Sequence, residues 1–205
     1  MQATLEVPRE SLVSTTAGTA RRADPDADVL ELVARGEVRA ALVELMKRYG
    51  EAVYSYCCEA LRDVTLADDV HQHVFIGAFR DLPRFKRLST VRTWLFAIAR
   101  HRVLDAAKRR RRAQACIERV EAAGPPASPP SPSELIDDTR LRAALAASLG
   151  ELGEPARTAI LLRYQQGFSF EEMAAICGEK PDTLRARVAR ALPLLRAGIE
   201  VRLGR

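Results

Sequence analysis

Residues 121–134 read EAAGPPASPPSPSE, with five prolines in fourteen positions. Proline lacks an amide proton and its ring clashes with the preceding helical turn, so no α-helix runs through this stretch. On either side apolar residues recur at helical spacing, and strand-like alternation occurs nowhere. The chain therefore has to fold as two helical parts with a break between them. The composition of the break favours extended polyproline, which at about 3.1 Å per residue reaches roughly 40 Å. We expect an all-α protein of two small helical domains joined by a Pro-rich linker. The expected organisation is a flexible tail over 1–26, a helical domain over 27–120, the linker over 121–134 and a second helical domain over 135–205.

Composition agrees with that class. Of the 205 residues, 47% are hydrophobic but only 5% aromatic, and Ala, Leu and Arg abound. No segment approaches the ~20 apolar residues that cross a bilayer. The first residues lack the apolar block of a secretory signal. A cytoplasmic protein without membrane insertion is the expectation.

The formal charge of +5 is modest, but the cations cluster. From Arg100 to Arg112 there are seven Lys or Arg and one Asp. Such a field attracts polyanions, nucleic acid first among them, although a solvated helix end has the same look. Cys57, Cys58, Cys116 and Cys177 match neither a disulfide framework nor a CxxC zinc site. His71 and His73, two apart on a helix, point about 200° away from each other and cannot share an ion. No phosphate-binding GxxxxGK[ST] loop and no HExxH occurs. We expect no cofactor, no metal and no catalytic residue.

Along the first domain, apolar spacing predicts a helix from about Asp28 and a break at Gly50. A helix then follows from Glu51 to Leu61, and another from Thr65 to Asp81. Thr65-Leu-Ala-Asp68 has capping-box spacing. A further helix starts near Thr90 and extends toward Val120. At 100° per residue, Trp94, His101, Asp105, Lys108 and Arg112 fall within about 60° of one another, whereas Leu95, Phe96, Ala99 and Val103 occupy another sector. One face thus presents an aromatic, polar groups and cations in a row. That combination suits duplex DNA being opened, since cations hold phosphates and an aromatic can stack on a displaced base. A tryptophan packed in the core is the competing reading.

In the second domain we expect helices at about 135–149, 154–166, 170–176 and 181–203. Ser169-Phe-Glu-Glu172 is a capping box, and Pro181 suits a first helical position. The segment FSFEEMAAICGEKPDTLRARVARAL has a short capped helix, small Ala174, a turn at Gly178 and a longer basic helix. This is a helix-turn-helix pattern. On the longer helix Leu184, Val188, Ala191 and Leu195 form a stripe about 60° wide for burial. Asp182, Arg185, Ala186, Ala189 and Arg190 are left to face a groove, with Arg187 on the flank. Arginine suits this work because its fork bridges two acceptors on guanine or grips phosphate.

FIGAFRDLPRFKRLSTVRTWLFAIARHRVLDAAKRRRR resembles the signature of bacterial extracytoplasmic-function (ECF, group IV) sigma factors. LRYQQGFSFEEMAAICGEKPDTLRARVARAL is similar to that family's second DNA-binding domain. The resemblance spans about 27–203. It implies a non-enzymatic specificity subunit of RNA polymerase. The first domain would dock on the polymerase clamp and capture the −10 element as it melts. The second would bind the flap and read the −35 element as duplex. By resemblance, Asp68, Asp69, Gln72 and Phe75 fall in the clamp-binding motif. Arg92, Thr93, Trp94, Arg100, His101, Asp105, Lys108 and Arg109 fall in the −10 and melting segment, and Thr183, Arg185, Arg187 and Arg190 on the −35 helix. Core RNA polymerase, promoter DNA and an anti-sigma factor are the implied partners. His73 departs from the family's usual carboxylate, His101 from a common Asn and Ala186 from a frequent Ser. Two other readings fit fewer residues: a stand-alone helix-turn-helix regulator, and a redox or metal sensor on Cys57, Cys58 and nearby histidines.

Overall fold

Apolar spacing and capping side chains divide the chain into eight α-helices among the described residues. The computed structural model describes residues 25–120 and 137–204. The expected linker, and the expected tail except Pro25 and Asp26, lie outside the described residues. Helix α1 spans Ala27–Ala34, α2 Val38–Leu61, α3 Val64–Asp81 and α4 Val91–Val120. A 3-10 turn, Leu82–Arg84, carries Pro83 between α3 and the loop that enters α4.

Two local expectations fail in this half. Helix α2 runs straight through Gly50. Glycine costs a helix about 1 kcal/mol, but Leu45, Tyr49, Val53, Tyr56, Cys57 and Ala60 bury one continuous face around it. Nor does Thr65 cap α3. Asp63 does, its side chain accepting from the Leu66 N–H at 2.9 Å, and Thr65 already lies in the first turn. A carboxylate there also meets the positive end of the helix dipole. At α4, the Thr90 hydroxyl accepts from the Thr93 N–H at 3.1 Å.

The second half holds α5 (Asp137–Glu151), α6 (Glu154–Ile160), α7 (Phe170–Cys177) and α8 (Pro181–Leu203), each near its expected place. Helix α6 continues as one π turn, Leu161–Gln165, closed by the Gln166 N–H on the Leu161 carbonyl at 3.0 Å. The Ser169–Glu172 capping box forms in both directions. Gly178 follows α7 at φ +68, a left-handed conformation that a side chain disfavours. Leu184, Val188, Ala191 and Leu195 are all buried, as the helical wheel of α8 requires. Across the turn, Arg187 donates both terminal nitrogens to Glu179, at 2.9 and 2.6 Å. Those bonds hold the Glu179 carboxyl below its ordinary range.

Helices α2, α3 and α4 pack on one another, with α1 against α2. Helix α8 is the spine of the second half and touches α5, α6 and α7. The two clusters are also packed together, α4 on α7 and α2 on the π turn, so that one buried apolar cluster runs from Val29 to Leu195. Phe168 and Phe96, neither of them exposed, meet edge to face across the seam at 5.0 Å. Gln165 donates to the Ser55 hydroxyl at 2.8 Å and Gln166 to the Ala52 carbonyl at 3.3 Å.

The first cluster closes at its start through Asp26. That carboxylate is fully buried and accepts from Arg48 at 2.7 Å and from the Tyr49 hydroxyl at 2.8 Å. Burial and the adjacent Asp26 push the Tyr49 hydroxyl upward. We predict that Asp26→Ala lowers stability by about 1.5–3 kcal/mol, the usual loss for a hydrogen bond to a charged group, read as a shift in the urea midpoint. The Glu179–Arg187 pair gives a pH signature. A depressed carboxyl stabilises the fold above its unfolded value, and that stability fades as pH falls through the folded value. Glu179→Gln should therefore cost about 1 kcal/mol at neutral pH. The difference from the parent should shrink as pH drops below the ordinary glutamate value of about 4.3.

Candidate nucleic-acid interface

Helix α4 has to serve three surroundings. Leu95, Phe96, Ala99, Val103 and Ala106 are buried. On a solvent-facing side, His101 lies 3.2 Å from the Asp105 carboxylate one turn on. Lys108 and Arg109 are exposed beside them, the Arg109 Nε donating to the Asp105 carbonyl at 3.4 Å. His101, Asp105 and Lys108, with exposed Arg112 farther along, form the row that the wheel predicts, and Arg109 lies beside it.

Trp94 stands at the start of that row, whereas Arg92, Thr93 and Arg100 of the same segment do not join it. Trp94 is half-buried and packs against Phe85 of the preceding loop, ring centroids 5.3 Å apart. Its surroundings are neither full core nor open surface. Thr93 is buried, its hydroxyl oxygen accepting from Thr90 at 2.9 Å. Arg92 turns to the seam: its guanidinium lies 4.1 Å from the Phe168 ring and 5.6 Å from Phe96, and it donates to the Gln166 carbonyl. Arg100 also faces the second cluster, its Nε buried without a hydrogen-bond partner and its charge felt at Cys177 and Glu179. Periodicity signalled neither arginine's role at the seam, because their partners lie some seventy positions on or beyond.

On α8, Thr183, Arg185 and Arg190 are exposed outside the buried stripe, Thr183 and Arg190 on one flank and Arg185 on the other. Arg187 is half-buried and engaged by Glu179. Three of the four named side chains are thus exposed, and the fourth makes a bracing contact.

A third surface lies on α2 and α3. Asp68, Asp69 and Gln72 are exposed, while Phe75 is buried beneath them. Beside Gln72 runs an apolar groove of about 550 Å³, lined by Leu42 and Met46 of α2 and by Phe75, Ile76 and Phe79 of α3. Ile76 is 64% exposed, Met46 44% and Phe79 41%, so the groove is open to a partner. The sequence reading missed Met46, Ile76 and Phe79. Their signal was an apolar pair at i and i+3 continuing the line of Gln72, on a face that the helix core did not need.

The histidines diverge as their spacing demands. His71 bonds the Gly50 carbonyl at 3.1 Å between the rings of Tyr54 and Phe75, and His73 bonds the Asp69 carbonyl at 2.6 Å. Cys57 is buried, and burial pushes its thiol up to about 12, far from a reactive thiolate.

Comparison with known proteins identifies the family. Residues 45–113 match the family model Sigma-70 region 2, and residues 142–195 match Sigma-70, region 4. The chain is 36% identical over 146 residues to the ECF RNA polymerase sigma factor SigC of Mycobacterium tuberculosis, covering 68% of this chain and 74% of that protein. It is 33% identical over 175 residues to the ECF RNA polymerase sigma-E factor of Escherichia coli K12, covering 81% and 90%. Among solved structures it resembles CnrH in complex with the cytosolic domain of CnrY, at 26% identity and TM-score 0.63 over 86% of this chain and 97% of that one. With both regions matched in order on an all-helical frame, the chain belongs to the ECF (group IV) sigma factors, the non-catalytic subunits that direct RNA polymerase to promoters.

Proposed function

We propose that this sigma factor divides promoter recognition between its two helical clusters. The α4 face of Trp94, His101, Asp105, Lys108 and Arg109 takes the −10 element as its strands part, with Arg92, Thr93 and Arg100 of the same segment behind it. The α8 face of Thr183, Arg185 and Arg190 reads the −35 element as duplex, with Arg187 bracing the turn. The observation that carries this reading is the pair of separate exposed cationic faces, each backed by a fully buried apolar stripe. Asp68, Asp69 and Gln72, with the neighbouring groove of Met46, Ile76 and Phe79, dock on the polymerase clamp; Phe75 supports them from below. The second cluster engages the flap. An anti-sigma factor is a further partner; the relative CnrH was solved in complex with another protein, the cytosolic domain of CnrY. No helix among the described residues is long and apolar enough to cross a membrane, which accords with work in the cytoplasm. A stand-alone regulator would leave the α2–α3 groove without a purpose, and the buried Cys57 gives a thiol sensor little support.

Simultaneous contact with both elements requires the clusters to part. Docked, the second cluster covers Phe96 and occupies Arg92. Opening returns Arg92 to the promoter-facing segment.

Transcription with purified core polymerase on a genomic promoter library tests the function: start sites should appear only when the protein is added. In that assay Arg185→Ala or Arg190→Ala should weaken −35-dependent initiation by about 1–3 kcal/mol, the size of a bidentate base contact. Equal use of matched and scrambled −35 sequences by the parent would refute the assignment. The separation step has its own test. Cysteines replacing Ser55 and Gln165, whose side chains touch at 2.8 Å, can be joined by a short bis-maleimide. The bridged protein should lose promoter-specific initiation while the unbridged double variant keeps it. Parent protein treated alike controls for Cys58 and Cys177. Full activity of the bridged form would show that separation is not needed.

A further inference from the structure

Phe170 opens α7 and is half-buried, yet its ring is flanked by two cations. The Arg163 guanidinium carbon lies 4.9 Å from the ring centroid, and that of Arg185 lies 5.0 Å away. The two arginines differ in their other contacts. Arg163 is anchored, donating to the Phe168 carbonyl at 2.9 Å. Arg185 belongs to the exposed side of α8, where its other partner is Asp182, three residues before it.

An arginine on a helix surface samples many rotamers, and base recognition needs one of them. Asp182 is a poor device for selecting it. Its side chain is 90% exposed, so the ion pair is weak in water. It also accepts from the N–H donors that a base would have to receive. An aromatic ring attracts the guanidinium through its quadrupole and takes up none of those donors as conventional hydrogen bonds. The ring therefore orients the fork and leaves its donors available. Phe170 is suited to that task because its position is fixed from two directions within its own cluster. The Ser169–Glu172 capping box sets the start of its helix, and Arg163 lies on the same ring.

We infer that Phe170, braced by Arg163, is a positioning residue for sequence discrimination: its ring holds Arg185 in the orientation that reads one base pair of the −35 element. This rests on the assignment of α8 as the −35 helix. It adds a specificity determinant outside the recognition helix, on a residue that would not itself touch DNA.

The test uses the full chain with core polymerase and promoters randomised across the −35 element, reading base preference position by position. Phe170→Leu and Phe170→Met keep apolar bulk and remove the ring, and Phe170→Tyr keeps the ring. Thermal melts identify any variant that is not folded, and either ring-less variant suffices. Arg185→Ala marks the position that Arg185 reads. The ring-less variants should lose about two- to fivefold of preference at that same position, the scale of an exposed cation–π contact, and keep the remaining preferences. Phe170→Tyr should retain the parent profile. A uniform fall in activity with the Arg185 position still discriminated overturns the positioning role while leaving the −35 assignment intact. A parent profile without −35 preference, or one that Arg185→Ala does not alter, removes the assignment and this inference together.

Discussion

The edge-to-face contact between Phe96 and Phe168 fixes the relation between the two halves of this sigma factor. Phe96 lies on α4, within the first cluster; Phe168 precedes the helix-turn-helix of the second. Both are fully buried, and Tyr56 of α2 packs against Phe96 from within, at 5.8 Å. Aromatic pairs of this kind add attraction beyond the area they bury. Around them the polar groups of the seam find partners: Gln165 on Ser55, Gln166 on Ala52 and Arg92 on the Gln166 carbonyl. The Arg100 Nε, by contrast, is buried there without a hydrogen-bond partner. Unmet polar groups of that sort weaken an interface. The seam is thus mainly apolar, and its unmet polar group lowers the cost of opening it.

Much of the fold was legible because local rules and tertiary burial agree over most of the chain. The stripe of Leu184, Val188, Ala191 and Leu195, the Ser169 capping box and Pro181 as a helix start each follow from spacing or side-chain chemistry alone. Where the two disagree, burial prevails. Gly50 does not break α2, because the apolar face around it is continuous. Thr65 loses the cap to Asp63, whose carboxylate lies nearer the helix start set by the end of α2. Asp26 reads as tail by composition, yet it is buried by partners more than twenty positions away.

The candidate site was legible as a set of faces, less so as a set of contacts. Helical periodicity separates the exposed side of α8 from its buried stripe, and the His101–Lys108 side of α4 from its core. It cannot tell an arginine that meets solvent from one that meets another part of the chain. Arg92, Arg100 and Arg187 look alike in sequence to Arg109 and Arg185. The structure gives the first two to the seam and the third to Glu179. The apolar groove of Met46, Ile76 and Phe79 was missed for a related reason. In a chain so rich in Ala and Leu, apolar residues are read as core by default, and only the solved packing shows which of them the core leaves over.

The π turn at Leu161–Gln165 carries a consequence of its own. A turn closed over five residues holds one more amino acid than an α-helical one, and so rotates everything downstream by about 100° relative to an uninterrupted helix. Gln165, Gln166 and Phe168 reach α2 and α4 by virtue of that extra residue. Gain or loss of a single codon in this stretch would swing the whole adhesive edge away from its neighbour and leave every other side chain chemically unaltered. A lineage could thereby retune how firmly the two clusters hold together, without altering the exposed cationic faces of α4 and α8.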